Sequence, residues 1–224
     1  MNNKTVRFLS ILFWMLTLIE IAAISYGSTK IHFVVKPLLI PTLILLLIYS
    51  KTISKEKKWI VTGLFFSFLG DVFLLYEYRS PLFFIFGLAS FLITHICYII
   101  YFLRIKSTQV SLLRQQPWLA ALVIAYGCSL VMLLYTSLGD LKLPVMIYAA
   151  VICTMLLCSL HVFYKTGRPA NVYFVSGALL FVISDSLLAV NKFLSPFPLS
   201  AVFIMLTYCA AQFYIAKGFL KNSN

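Results

Sequence analysis

The chain has 224 residues, 62% of them apolar and 11% charged, with a mean hydropathy of +1.00 and a formal net charge of +12. A soluble domain is close to half apolar and about one quarter charged, so the apolar excess is too large for one core to bury and leaves no room for a separate soluble domain. The positive charge does not point to nucleic acid, because the lysines and arginines lie in short loops between apolar runs, where they set topology and meet anionic lipid headgroups.

Eight apolar runs, each near the roughly 20 residues that a membrane-crossing helix needs, follow one another at 8–25, 31–50, 58–76, 81–104, 117–137, 141–163, 171–191 and 198–218. Lipid cannot satisfy exposed backbone groups, and the period-two alternation of a membrane barrel is absent, so all eight are expected to be helices. The predicted fold is all-α: a single polytopic membrane domain over 1–224. The first run follows Lys4 and Arg7 as in a signal peptide, but it contains Glu20 and lacks a small-x-small cleavage site; it reads as an uncleaved first span. The second run carries Lys36-Pro37 near its start, and the third carries Asp71. His95 lies in the fourth, Tyr148 and His161 in the sixth, Asp185 and Asn191 in the seventh, and Tyr208 and Gln212 in the eighth. Cys97, Cys128, Cys153, Cys158 and Cys209 all fall within apolar runs and form no CxxC pair. They are expected to pack as small buried hydrophobes rather than to hold a metal or a disulfide framework.

With eight spans, one side receives Lys4, Arg7, Lys51, Lys55, Lys57, Lys58, Arg104, Lys106, Arg114, Lys165, Arg168, Lys217 and Lys221, and the other Lys30, Lys36, Arg79, Lys142 and Lys192. Thirteen against five places both termini in the cytoplasm. Spans three and seven resemble each other: in each a glycine stands eight residues before the aspartate (Gly63 and Asp71, Gly177 and Asp185), a small residue one before it, and leucine three after it. Four spans apart, the two segments run in the same direction, as in a parallel repeat of four helices.

Ionisable residues inside spans are costly and mark functional sites by default. At about 1.5 Å of rise per residue, Asp71 lies roughly 20 Å and Asp185 roughly 21 Å above the cytoplasmic ends of their spans, with Lys36 near 22 Å and Glu20 near 18 Å. The four fall in one layer in the outer half of the bilayer. Lys36 also fits a residue snorkelling outward, and Glu20 a structural partner for Lys36. His95 and Gln212 come out lower, as helix-bracing or cavity-lining residues, and His161 is interfacial. The aspartates have the shortest acidic side chains and cannot snorkel far. Two carboxylates sharing a low-dielectric cavity do not both ionise readily, which leaves one as an acid and the other charged. Such a pair suits a reaction through an oxocarbenium-like cation, and equally a proton-coupled transporter. No HExxH, GxSxG, P-loop or strand-borne GxGxxG is present. Ser67 and Ser184, beside the aspartates, lack a histidine relay at matching depth, which disfavours serine hydrolysis.

The stretch Ser67-Phe-Leu-Gly-Asp71-Val-Phe-Leu-Leu75, followed by Phe86-Gly87-Leu88, Phe91, His95 and Tyr98, resembles the YhhN/TMEM86 family of membrane lysoplasmalogenases. Gly177-Ala-Leu-Leu-Phe-Val-Ile-Ser-Asp185-Ser-Leu-Leu-Ala-Val-Asn191, Lys36-Pro37 and Tyr208-Cys-Ala-Ala-Gln212 resemble it as well. The likeness runs in order from about Lys36 to Gly218. It implies an enzyme of a bacterial inner membrane that hydrolyses the vinyl ether bond of lysoplasmalogens to a fatty aldehyde and glycerophosphoethanolamine or glycerophosphocholine. It also implies that no metal or organic cofactor is needed. Asp71 and Asp185 would be catalytic, one the acid and the other the group that stabilises the cation and guides water. Lys36, Tyr148, His95, Glu20, Asn191, Tyr208 and Gln212 would form the substrate-binding surroundings. The expected partners are the lysophospholipid and membrane lipids, not nucleic acid. Two alternatives stay open: a transporter using the same carboxylates, and a lipid-binding protein without catalysis. Prolines mostly at span ends or outer turns argue for a rigid bundle over a transporter's interrupted helices.

Overall fold

In the computed structural model the described residues are 3–50, 52 and 54–222, and they form nine α-helices and no strand. These are α1 (Asn3–Ser25), α2 (Thr29–Tyr49), α3 (Lys57–Leu75), α4 (Pro81–Leu103), the single turn α5 (Leu112–Gln115), α6 (Trp118–Leu134), α7 (Lys142–His161), α8 (Ala170–Phe193) and α9 (Ser200–Asn222). Two 3₁₀ turns, Tyr135–Ser137 and Gly139–Leu141, lead from α6 into α7. Eight stretches are long and apolar enough to cross a membrane, in the positions read from the sequence. The chief differences are an earlier start of the first helix, a later end of the last, and the extra turn α5. Lys51, one of the thirteen basic residues counted above, lies outside the described residues.

Local chemistry sets the helix ends. The Ser80 hydroxyl accepts from the Leu82 amide at 3.3 Å, and Pro81 occupies the first helical position of α4, where its missing N–H costs nothing. The turn between α1 and α2 is tight, with Gly27 at φ +67°, a conformation that side chains resist. Pro81, Pro117, Pro144 and Pro169 lie at helix starts as expected, but Pro37 and Pro41 are inside α2. That corrects the reading of the prolines: a membrane span tolerates them in its interior, where packed neighbouring helices and local backbone adjustment take up the loss of a hydrogen bond.

The bundle is filled differently at its two ends. At the end that carries the termini, Tyr101 and Phe102 of α4, Phe174 of α8 and Phe219 of α9 form a buried aromatic plug. Its rings meet at 5.6 Å (Tyr101–Phe174), 5.2 Å (Phe102–Phe174) and 5.6 Å (Tyr101–Phe219). The opposite end holds an open cavity. Helix α6 is peripheral, with only Val123 and Leu134 buried. Of the cysteines, Cys97, Cys158 and Cys209 are buried as expected, whereas Cys128 on the peripheral α6 is exposed and Cys153, on α7 against Gly127 of α6, is half-buried.

Helices α3 with α4 and α8 with α9 approach closely at the glycines that precede the two aspartates. A Cβ at Gly63 would stand 2.6 Å from the Tyr98 ring. One at Gly177 would stand 2.8 Å from Ile215 Cγ1 and 3.0 Å from the Ala211 carbonyl oxygen. Further likeness between the halves follows from the same register. Tyr98 and Gln212 each lie 27 residues beyond their aspartate (98 from 71, 212 from 185), and they bond to each other across the bundle at 2.7 Å.

Gly177→Ala should therefore be destabilising, because a backbone carbonyl cannot move aside for the new methyl. A cost of about 1–3 kcal/mol, typical of overpacking, would appear as a lowered thermal unfolding midpoint in detergent; an unchanged midpoint would contradict the close packing.

Candidate active site

The open end of the bundle encloses a cavity of about 380 Å³. Both aspartates line it, with Lys36 and His32 of α2, Ser184, Leu188 and Asn191 of α8, Tyr208 of α9, and Glu77 from the turn after α3. Helix direction explains the gathering. Asp71 is near the end of α3 and Asp185 well along α8, two helices that point the same way, so their carboxylates arrive at one level. The equal depths read from the sequence agree with this.

Asp71 is held by a donor from the opposite half of the chain, and Asp185 by one side chain from each half. The Tyr208 hydroxyl donates to Asp71 Oδ2 at 2.7 Å, and Asp71 is 2% exposed. The Tyr148 hydroxyl donates to Asp185 Oδ2 in a very short hydrogen bond. His95 Nε2 stands 3.3 Å from the same Oδ2 and 3.0 Å from the Tyr148 oxygen. Because the Tyr148 proton is committed to Asp185, the network assigns the proton to His95 Nε2, shared between the phenol oxygen and the carboxylate. His95 Nδ1 is buried and has no partner among the described residues. A neutral imidazole leaves only a lone pair unmatched there, which is less costly than a buried unpaired N–H. Two donors thus converge on one oxygen of Asp185.

The depth expected for His95 is corrected by this contact. Counted along helices, His95 falls well below Asp185, yet their side chains meet. Helical side chains lean toward their own N-terminus; α4 enters from the cavity end and α8 from the aromatic end, so His95 leans up while Asp185 leans down. Gln212 does sit deeper and braces helices. Its Nε2 donates to Ser67 Oγ at 2.7 Å and its Oε1 accepts from Tyr98, while Ser67 in turn donates to Thr94 Oγ1 at 3.0 Å. It does not line the cavity.

Glu20 is corrected as well. It is fully buried, but its partner is His32, not Lys36: Glu20 Oε1 and His32 Nδ1 are 2.5 Å apart. Lys36 is left facing the cavity, and Lys36, Glu20 and His32 are the ionisable side chains whose field reaches Asp71. His32 is the residue that sequence reasoning missed. Its signal was the four-residue spacing to Lys36, which puts both on one face of a helix. Glu77 was also missed; it pairs with Lys192 at 3.5 Å beside the cavity. Asn191 lines the cavity, its Oδ1 buried without a partner among the described residues. Tyr148 and Asp185 also line two narrow apolar clefts of about 40 and 50 Å³, between α4, α7 and α8 and between α6, α7 and α8.

Fold and site define a class: a multi-pass helical membrane protein whose spans enclose two aspartates in one cavity. More particularly, the YhhN family model matches residues 31–219, and the chain belongs to that family. It is 36% identical over 168 residues to the human protein named lysoplasmalogenase TMEM86A, covering 73% of this chain and 65% of that one. The bovine lysoplasmalogenase TMEM86A is 33% identical over 167 residues, with the same coverage. A lysoplasmalogenase of Mycobacterium tuberculosis is 29% identical over 173 residues, covering 75% of this chain and 62% of the relative. The matched region thus spans a little under two thirds of these relatives. No solved structure gives a significant match.

Replacing Gln212 by leucine strands the Tyr98 hydroxyl and removes a donor to Ser67 inside a buried network. The expected cost is about 1–3 kcal/mol, read as a lower unfolding midpoint, and a Gln212→Leu protein as stable as the parent would show that this network does not brace the helices.

Proposed function

We propose that the chain is a lysoplasmalogenase, an intramembrane hydrolase of the vinyl ether bond in lysophospholipids. The observation that carries the proposal is the pair of aspartates lining one cavity that also receives Lys36, a lysine with no acidic partner among the described residues. The family relatives named lysoplasmalogenase support it independently.

Asp71, the more buried carboxyl and the one with a single donor, is the acid; Asp185, with two donors on Oδ2, is the carboxylate. Asp71 delivers its proton to the vinyl carbon β to oxygen. The π electrons form the new C–H bond and an oxygen lone pair is shared with the carbon left electron-poor, producing an oxocarbenium ion that Asp185 faces through its remaining oxygen. Preorganised charge of this kind, with Tyr148 and His95 already in place, needs no reorganisation when the cation appears. Water adds to the cation and loses a proton to the Asp71 carboxylate, which restores the acid and leaves a hemiacetal. The hemiacetal breaks its C–O bond, its hydroxyl proton passing through the carboxyl pair to the glycerol oxygen. The products are a fatty aldehyde and glycerophosphoethanolamine or glycerophosphocholine. Lys36 meets the substrate phosphate at the cavity, with Asn191 and Tyr208 beside it.

A proton-coupled transporter is the second reading, and the two prolines inside α2 are the observation on its side. The carboxylate variants decide between them. Purified protein given lysoplasmenylethanolamine should release fatty aldehyde, and Asp71→Asn and Asp185→Asn should each lower the rate by roughly 10²- to 10⁴-fold, the range for general acid–base groups. Full activity in either variant overturns the pair, and no aldehyde from the parent overturns the hydrolase.

We further place the chain in a bacterial cytoplasmic membrane with both termini inside, on the thirteen-to-five basic count. A cytoplasm-active reporter fused after Asn224 should function, and one active only outside should not; the reverse result would invert the topology.

A further inference from the structure

A second concavity lies far from the cavity, on the outer surface where α1 meets α9. This groove has a volume of about 520 Å³. Arg7, Ile11, Trp14, Met15 and Leu18 of α1 line it, with Lys217 of α9. Positions 7, 11, 14 and 18 recur at helical spacing, so one stripe of α1 forms its length. Its apolar residues face outward: Ile11 is 51%, Met15 55% and Leu18 66% exposed. The floor is rigid, because Trp14 packs edge-on against Phe213 at 5.3 Å and Phe13 stacks on the same ring at 5.7 Å.

Charge is confined to one end. Arg7 is near the start of α1 and Lys217 near the end of α9, so both stand at the face that carries the termini. Neither has an acidic partner among the described residues, and α9 contains no acidic residue at all. From Arg7 to Leu18 the helix rises roughly 16 Å, about half of a hydrocarbon core near 30 Å. The groove therefore runs the depth of one leaflet, with two cations at the headgroup level and an apolar track below.

From this geometry we infer that the groove is a binding site for one anionic phospholipid, its phosphate held by Arg7 and Lys217 and an acyl chain laid along Ile11, Met15 and Leu18. Charge complementarity selects the occupant: a zwitterionic lipid brings a cation of its own to a place that already holds two. The site is independent of the reading of the cavity, and α1 lies ahead of the family-matched residues. A lipid seated there holds α1 against α9, and α1 is the helix that presents Glu20 to His32.

The test uses the full chain in nanodiscs and mixed micelles. Native mass spectrometry of protein in micelles with equal phosphatidylglycerol and phosphatidylcholine should retain one phosphatidylglycerol. The thermal midpoint should be higher in nanodiscs containing one fifth phosphatidylglycerol than in pure phosphatidylcholine, and inorganic phosphate should not substitute. Arg7→Gln with Lys217→Gln should weaken retention by roughly 25-fold, at about five-fold for each basic residue removed at a lipid surface. The control removes the same charge nearby, with Lys4→Gln and Lys221→Gln, and should retain the lipid. Equal loss in both double variants, or no preference for phosphatidylglycerol in the parent, overturns the site; if the Arg7/Lys217 variant also melts lower in pure phosphatidylcholine, Met15→Trp, which fills the groove and keeps both charges, must abolish retention for the proposal to stand.

Discussion

The cost of placing charge in a low-dielectric interior governs this molecule. A carboxylate in hydrocarbon is tolerated only where donors and opposing charge surround it, and the bundle is arranged to supply both. Asp71 receives Tyr208 and the field of Lys36; Asp185 receives Tyr148 and His95; Glu20 receives His32. The acids lie on α1, α3 and α8 and these partners on α2, α4, α7 and α9, so satisfying three carboxylates ties together most of the long helices. The site and the fold are in this sense one network. A helix that moved away would leave a buried acid without its donor.

The division of the bundle into a plugged end and an open end follows from the same constraint. Aromatic rings fill the end near the termini, where Tyr101, Phe102, Phe174 and Phe219 exclude water. Ionisable residues gather instead at the other end, around the cavity lined by Lys36, Asp71 and Asp185. Between the two ends lies the Tyr98–Gln212–Ser67–Thr94 chain of hydrogen bonds, a polar layer satisfied within itself. It joins α3 and α4 to α9 beneath the aspartates without opening into the cavity.

Membrane helices announce themselves in a sequence, and the eight spans were legible because no soluble core could absorb so much apolar surface. Asp71 and Asp185 were legible for the complementary reason: two short acids deep in apolar runs have no cheap explanation. Helical rise placed them at one depth, and it succeeded because α3 and α8 point the same way. The same arithmetic failed for His95, whose helix points the opposite way, so that the lean of two side chains closes the gap that counting left. It failed for the partner of Glu20 because rise along an axis says nothing about which face of α2 turns toward α1. There the choice fell on His32 rather than Lys36, and the lysine lines the cavity instead. Pro37 and Pro41 looked like end markers because a proline inside a helix loses a bond; the packing of α2 against α1, α3 and α9 made the loss bearable.

Composition and periodicity by themselves determined that this chain is a bundle of eight spans with two carboxylates it could not hide, since hydropathy and the expense of buried charge act locally along the chain. Which donor meets which acid, where the cavity opens and what closes the other end were decided only in the tertiary structure. Those outcomes depend on helix rotation and direction, and on the contact of residues more than a hundred positions apart, as when Tyr208 reaches Asp71 and Gln212 reaches Tyr98.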